Sequence, residues 1–132
     1  MLIFFITSSY SLFAGNVKVK LSYPSADGIP SLVVILKNTK TGKIYTYISK
    51  FGENNHVFKN ISSRKYIAYC FENIPNSNYG AGYTKAVPCG LSINCEDHSF
   101  IEFYVTKKGT TNNIYIADWY SAELPAVNTN IK

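Results

Sequence analysis

One short segment of the chain concentrates the residue types that can do chemistry. Between residues 86 and 99 it carries Cys89, Cys95, Asp97 and His98. A thiol beside an imidazole, with an acid behind the imidazole, is the arrangement of a nucleophile, its general base and an orienting group. The segment therefore admits a cysteine-dependent hydrolase that uses Cys89, His98 and Asp97.

A disulfide is the simpler interpretation of the two cysteines in this segment. Cys89 and Cys95 flank Gly90 and Asn94, residue types that let a chain fold back on itself. In a fully extended chain Cys89 and Cys95 would lie roughly 20 Å apart, so a bridge between them requires a turn. In an oxidising compartment the bridge would stabilise the fold by roughly 2 kcal/mol in the chain-entropy model. We therefore predict a Cys89–Cys95 disulfide and no catalytic residue.

Metal sites are disfavoured by the spacing of their candidate ligands. The three cysteines and His98 lack the short Cys-x-x-Cys spacing of structural zinc sites. Glu96, Asp97 and Asp118 offer oxygens to calcium but carry no binding-loop signature. We expect no metal and no other cofactor, and we interpret Cys70, which lies in an apolar run, as a buried thiol.

Aromatic residues around the same segment suggest a binding surface. Tyr79, Tyr83, Trp119 and Tyr120 are candidates for a stacking platform that contacts a sugar or a peptide, because aromatic side chains with a polar tip suit surfaces that are both apolar and wet. The alternation of the last strand pattern favours a core or core-edge position for Trp119, with the platform as its alternative role. We predict that the loop over residues 76–99 is the contact surface.

Composition and charge describe one folded domain without a nucleic-acid surface. The chain has 132 residues, of which 46% are hydrophobic and 16% charged, and this composition argues against disorder. The net charge is +5, and the densest basic groups, Arg64-Lys65 and Lys107-Lys108, fall at predicted turns. Because a nucleic-acid groove needs a basic stripe with aromatic residues along it, we interpret the lysines as solubilising charge and expect no nucleic-acid partner.

The first fourteen residues have the pattern of an export signal. They carry no charged side chain and end in Ala14 before Gly15, which resembles the apolar region and cleavage point of a secretory signal peptide. A buried first strand over Leu2–Ile6 is the alternative, and the run is too short for stable membrane insertion. We expect a secreted or cell-surface protein. The predicted division is a signal peptide over 1–14, a β-sandwich domain over 15–121 and a flexible tail over 122–132.

Strand patterns follow one another through the rest of the chain. No window of ten or more residues has helical spacing, and the apolar run Ser31–Lys37 predicts the centre of a sheet. Strands at spacings near ten residues, joined by turn signals, predict a seven-stranded antiparallel β-sandwich. The seven predicted strands are Val17–Tyr23, Ser31–Lys37, Lys43–Ser49, His56–Ile61, Tyr66–Phe71, Phe100–Val105 and Ile114–Tyr120. His56 shares a strand face with Phe58 and is interpreted as structural.

A family resemblance covers roughly residues 17–71. The succession of Val33–Gly42, Tyr45–Tyr47, Gly52 with the 57–58 pair, and Lys65–Ile67 resembles the carboxypeptidase regulatory-like domains. These are prealbumin-like (transthyretin-like) β-sandwiches of Greek-key type. The chain departs from them at Arg64, where the family usually has glycine. Residues 82–99 and 117–120 are similar to a segment of secreted bacterial proteins with that sandwich.

The resemblance implies an accessory module that contacts protein or carbohydrate, and it implies no catalytic residues. Together with the residue patterns, it predicts a secreted, non-catalytic β-sandwich that binds an extracellular protein or carbohydrate through residues 76–99. Two alternatives remain open. One is the cysteine-dependent hydrolase, and the other is a self-associating structural protein of the cell envelope whose strand edges pair between copies.

Overall fold

The computed structural model describes residues 14–119. The predicted signal peptide, apart from Ala14, the predicted tail over 122–132 and the predicted contact residue Tyr120 lie outside this range. Eight strands and one helical turn make up the described chain. They are β1 Ala14–Leu21, β2 Leu32–Asn38, β3 Ile44–Ile48, β4 Asn55–Ser62, β5 Lys65–Glu72, β6 Gly80–Gly82, α1 Ala86–Cys89, β7 Phe103–Tyr104 and β8 Thr110–Ile116.

The strands form two sheets, as the sequence predicts for a β-sandwich. The larger sheet has the order β3-β2-β5-β6, with β7 also paired to β5, and all its pairs are antiparallel. The smaller sheet has the order β4-β1-β8. The main core lies between the sheets and draws on Val17 and Val19 of β1, Val34 of β2, and Ile114 and Ile116 of β8. The all-β sandwich class is therefore confirmed.

The larger sheet is buried on both faces at its centre. All five residues from Leu32 to Leu36 are buried, because apolar clusters cover both faces of β2. A second apolar cluster, formed by Val33, Ile35, Tyr69 and Phe71, occupies the face turned away from the main core. The central position predicted for this apolar run is confirmed.

Three details differ from the predicted sandwich. Residues 14–119 form eight strands instead of the predicted seven, because β6, whose three residues include two glycines, has too little side-chain pattern to be recognised from the sequence. The predicted strand over 100–105 contracts to β7. The pairing of β1 with β8 is parallel, so the sandwich is not antiparallel throughout; two distant strands with the same alternation give no signal of their relative direction.

The ends of the sheets hold the functional segment in place. Residues 83–102 leave the end of β6, return to the sheet through a bridge between Thr84 and Phe100, and carry α1 between these points. A Cβ at Gly82 would lie 2.6 Å from a ring carbon of Phe100, so a larger residue there would displace that ring. In the part of the chain that the structure describes, no helix is long and apolar enough to span a membrane.

Candidate functional site

The predicted disulfide is present and closes a loop of seven residues. Cys89 and Cys95 are joined at an S–S distance of 2.08 Å, with their Cα atoms 6.0 Å apart. The reversal between them begins at Gly90, which has a φ of 109° and whose N–H donates to the carbonyls of Ala86 and Val87. Gly90 therefore both ends α1 and starts the turn that the bridge requires. We call residues 89–95 the disulfide loop.

A cavity of about 430 Å³ opens beside the disulfide loop. Its walls are mixed in chemistry, because an imidazole and a hydroxyl face the same space as aliphatic side chains. The residues that line it are Leu91, Ser92, Ile93, Cys95 and His98. Ile93 is 96% exposed, so the tip of the disulfide loop presents an aliphatic side chain to solvent. This combination of concavity, polar groups and exposed apolar surface is typical of a binding site.

The imidazole in this cavity is held by a buried carboxylate. His98 Nδ1 lies 2.7 Å from Asp118 Oδ2, and the Asp118 side chain is 0% exposed whereas that of His98 is 34% exposed. Thr84 Oγ1 donates to the same carboxylate oxygen at 2.6 Å. The backbones of Asp118 and Gly82 are bridged, so the main chain fixes the position of the carboxylate.

This arrangement decides the hydrogen-bonding role of each imidazole nitrogen. The contact with a carboxylate places the proton of neutral His98 on Nδ1, which then donates to Asp118. The lone pair is on Nε2, the nitrogen that is not engaged by Asp118. A fixed tautomer with an accessible lone pair is the form in which histidine accepts a proton or a hydrogen bond. The pair can therefore bind a donor group or act as a general base.

The residues first considered as a catalytic triad are arranged differently. Cys89 is bonded to Cys95 and carries no thiol. Asp97 accepts hydrogen bonds from the backbone and side chain of Ser99, which lower the pKa of its carboxyl below the ordinary value. The carboxylate that hydrogen-bonds His98 is Asp118. Sequence reasoning missed this partner because Asp118 is twenty residues away and meets His98 only through sheet pairing.

The predicted aromatic platform is divided by the packing. Trp119 is 6% exposed, its Nε1 donates to the carbonyl of Ser22 at 3.0 Å, and Tyr23 packs edge-on against it with ring centroids 5.0 Å apart. The core alternative therefore describes Trp119. Tyr79 is exposed and its ring centroid lies 5.0 Å from that of Trp119. Tyr83 packs against the core and against Phe103, so it is half-buried.

Tyr23, which packs edge-on against Trp119, takes part in a hydrogen-bond network that orders the loop between β5 and β6. Tyr23 Oη donates to Glu72 Oε2. This hydrogen bond to a carboxylate is the largest cause, and burial the second, of the rise in the pKa of Tyr23 to about 12. Ser77 Oγ donates to the other oxygen of Glu72 at 2.9 Å. The carboxylate thus ties residue 77 to the sheet and places Tyr79 against Trp119.

Comparisons with protein-family models, with curated proteins and with solved structures found no match to this chain. Among residues 14–119, no three His, Cys, Asp or Glu side chains converge as ligands of a metal ion. The site is therefore described by its own geometry: a disulfide-closed loop with an exposed isoleucine, a cavity beside it, and a histidine held by a buried aspartate.

Proposed function

We propose that the protein is a secreted binding module that acts without catalysis and contacts a protein partner through residues 76–99. The observation that carries this proposal is Ile93, which is 96% exposed at the tip of the disulfide loop and borders a cavity. A large aliphatic side chain in that position is unfavourable in water and gains free energy when a partner covers it.

The covalent closure of the loop supports the same function. A loop fixed before binding loses little conformational entropy when the partner arrives, so more of the contact energy remains as affinity. A protein partner fits better than a carbohydrate because Trp119, the ring best suited to sugar stacking, is packed inside. The disulfide also supports an oxidising, extracellular location.

Site-specific photo-crosslinking tests the contact surface. A benzophenone amino acid at position 93, in protein incubated with the extracellular fraction of its source cells, is expected to capture one dominant partner. The matched control carries the same probe at Phe51, which is similarly exposed but lies in the turn between β3 and β4. Equal capture at both positions, or none at position 93, contradicts the proposal.

The second experiment separates the shape of the loop from its residues. With the probe moved to the neighbouring exposed Asn94, replacing Cys89 and Cys95 together by serine removes the closure and leaves Ile93 in place. We expect this variant to retain its fold, as measured by circular dichroism. If preorganisation of the loop is needed for affinity, it loses most of the crosslinked product. Ile93→Ser, with the disulfide intact, is expected to show the same loss.

A hydrolase is the second candidate, and the pair of His98 with Asp118 favours it. Ser92 lines the same cavity as His98, so it replaces the bridged cysteine as the candidate nucleophile. With an ester as substrate, Ser92 Oγ would attack the carbonyl carbon and form an acyl-enzyme. The Ser92 proton would pass to His98 Nε2 and then to the departing alkoxide. Water would release the acyl group through the same proton relay.

Hydrolysis of p-nitrophenyl acetate distinguishes this candidate from simple binding. If the protein is a hydrolase, Ser92→Ala and His98→Gln are each expected to abolish turnover. Asp97→Asn is expected to leave turnover unchanged, because the Asp97 carboxylate accepts a hydrogen bond from Ser99 and not from His98. Imidazole alone cleaves this ester slowly, so a wild-type rate equal to that of Ser92→Ala excludes the serine mechanism.

A further inference from the structure

The cavity beside the disulfide loop offers a hydrogen-bond acceptor to an incoming group. His98 lines this cavity, its side chain is 34% exposed, and its Nδ1 is engaged by Asp118 at 2.7 Å. No group among residues 14–119 forms a hydrogen bond with Nε2. Because neutral His98 has its lone pair on that nitrogen, a ligand in the cavity can donate a hydrogen bond to it.

The same cavity also offers a hydrogen-bond donor. Ser92 Oγ lies 3.4 Å from Cys95 Sγ, and because Cys95 is bridged to Cys89 it has no S–H to donate. The hydroxyl proton of Ser92 is therefore directed at a sulfur atom, which is a weak acceptor. An oxygen atom of a ligand would be a stronger acceptor, so the hydroxyl can turn from the sulfur toward the ligand.

The aliphatic walls of the cavity are formed before a ligand arrives. Leu91 and Ile93 supply these walls, and the N–H of Leu91 donates to the carbonyl of Ala86 at 2.9 Å. Leu91 has a φ of 57°, a left-handed conformation that is unfavourable for a residue with a side chain and persists where the surrounding structure holds it. The disulfide and this hydrogen bond hold it here, so binding orders little of the loop.

The two polar groups and the apolar walls together select one kind of side chain. A group that pairs with both His98 and Ser92 must donate one hydrogen bond and accept another, as the hydroxyls of serine, threonine and tyrosine and the amides of asparagine and glutamine do. Ammonium, guanidinium and indole N–H groups only donate. The cavity holds about 430 Å³, and among these side chains only tyrosine has an aromatic ring that can cover Leu91 and Ile93.

We propose that the partner of residues 76–99 inserts a tyrosine side chain into this cavity, where the phenol O–H donates to His98 Nε2 and the phenol oxygen accepts from Ser92 Oγ. The ring packs against the aliphatic walls, and Ile93 at the tip of the disulfide loop contacts the partner beside the tyrosine. This inference rests on the proposed function, because it names the side chain through which the protein partner docks.

Nuclear magnetic resonance with isolated tyrosine derivatives tests the cavity without the partner. The probe is N-acetyl-tyrosinamide, and its controls are the phenylalanine amide, which lacks the hydroxyl, and the O-methyl-tyrosine amide, which cannot donate. We expect the tyrosine amide to bind about fivefold more tightly than either control, as for one hydrogen bond, and to move the nitrogen resonance of His98 Nε2. His56, whose ring stacks on Tyr47, is the internal control, and its resonances should stay in place.

Two variants separate the polar contribution from the apolar one. His98→Phe is expected to bind the phenylalanine amide as before and to lose the preference for tyrosine. Ile93→Ser is expected to weaken both amides by the same factor, because it removes apolar surface alone. His98→Phe leaves the buried Asp118 without its imidazole; if it does not fold, the Nε2 resonance of the wild-type protein still decides the test.

The outcomes distinguish this inference from the function on which it rests. Equal affinity for the tyrosine and phenylalanine amides, an unmoved Nε2 resonance, or no binding of any amide would overturn the tyrosine site, even if a protein is captured at position 93. Tighter binding of the tryptophan or glutamine amide would overturn the choice of tyrosine. Binding of the tyrosine amide without any captured protein would contradict the proposed function and retain the phenol site.

Discussion

Single residues in this protein are placed by partners that local sequence only partly reveals. The pairing of Cys89 with Cys95 was predictable, because turn residues stand between two nearby cysteines. The buried state of Cys70 was also predictable from its apolar neighbours, and it is confirmed. The link between His98 and Asp118 was not, since nothing near either residue indicates the other.

Thiol titration gives a prediction at the scale of single cysteines. Cys70 is fully buried and burial raises the pKa of its thiol to about 12, so it reacts very slowly as a nucleophile. We expect Ellman's reagent to find no fast-reacting thiol in the native, unreduced protein, one thiol after denaturation and three after reduction. Three thiols in the unreduced denatured protein would contradict the disulfide.

Acid stability provides a second prediction, at His56. Its ring stacks on Tyr47 with centroids 3.6 Å apart, and burial lowers its pKa below the ordinary 6.5 despite the opposing charge of Glu53. The unfolded chain therefore binds more protons just below pH 6.5, so the stabilising contribution is complete above 6.5 and is lost as the pH falls toward the folded pKa.

Urea unfolding between about pH 7 and about pH 5 measures this effect through the proton linkage. We expect the free energy of unfolding to fall with acid in wild type and to be flatter in His56→Phe. Protonation of Glu53 does not contribute to this slope. Its pKa is lowered from the ordinary 4.5, so its stabilising contribution is lost only below pH 4.5. An equal slope in both proteins would show that His56 is not the group responsible.

At the scale of elements, the strands with clear alternation were predictable and their pairing was not. The patterns of β1, β2 and β5 identify them as strands, but β6 has too little side chain to be seen. Pairing direction depends on contacts between residues far apart in sequence, such as Asn16 with Thr110. Local propensity contains no information about these contacts, which explains the missed parallel pair.

Gly15 marks a close approach between two elements. A Cβ at this position would lie 2.1 Å from the carbonyl oxygen of Thr106, which is backbone and cannot rotate away. We expect Gly15→Ala to lower the free energy of unfolding by about 1–3 kcal/mol, as overpacking does, in chemical denaturation. Lys18→Ala, on the same strand, is the control and should change it little; similar losses in both would contradict the close approach.

At the scale of the whole molecule, the two edge strands of the smaller sheet, β4 and β8, bear on self-association. The pairing of β4 with β1 shifts register between Gly15 and Val17, next to Asn60 with its positive φ, and β8 shifts near Asn113, which also has a positive φ. Bulged edges are poor templates for another strand. We therefore expect a monomer in sedimentation from micromolar to millimolar concentration, and growth in mass with concentration would favour the structural role in the cell envelope.

The parallel contact of β1 with β8 also has a consequence for the order of folding. β1 is the middle strand of the smaller sheet, so its second neighbour is supplied by residues 110–116, the last strand described. During synthesis, the early half can complete β2, β3 and β5, but the opposing layer stays open on one side until that strand leaves the ribosome. Chains stopped before residue 110 would expose the apolar groove that Ile114 and Ile116 normally fill, and would become clients of chaperones and proteases.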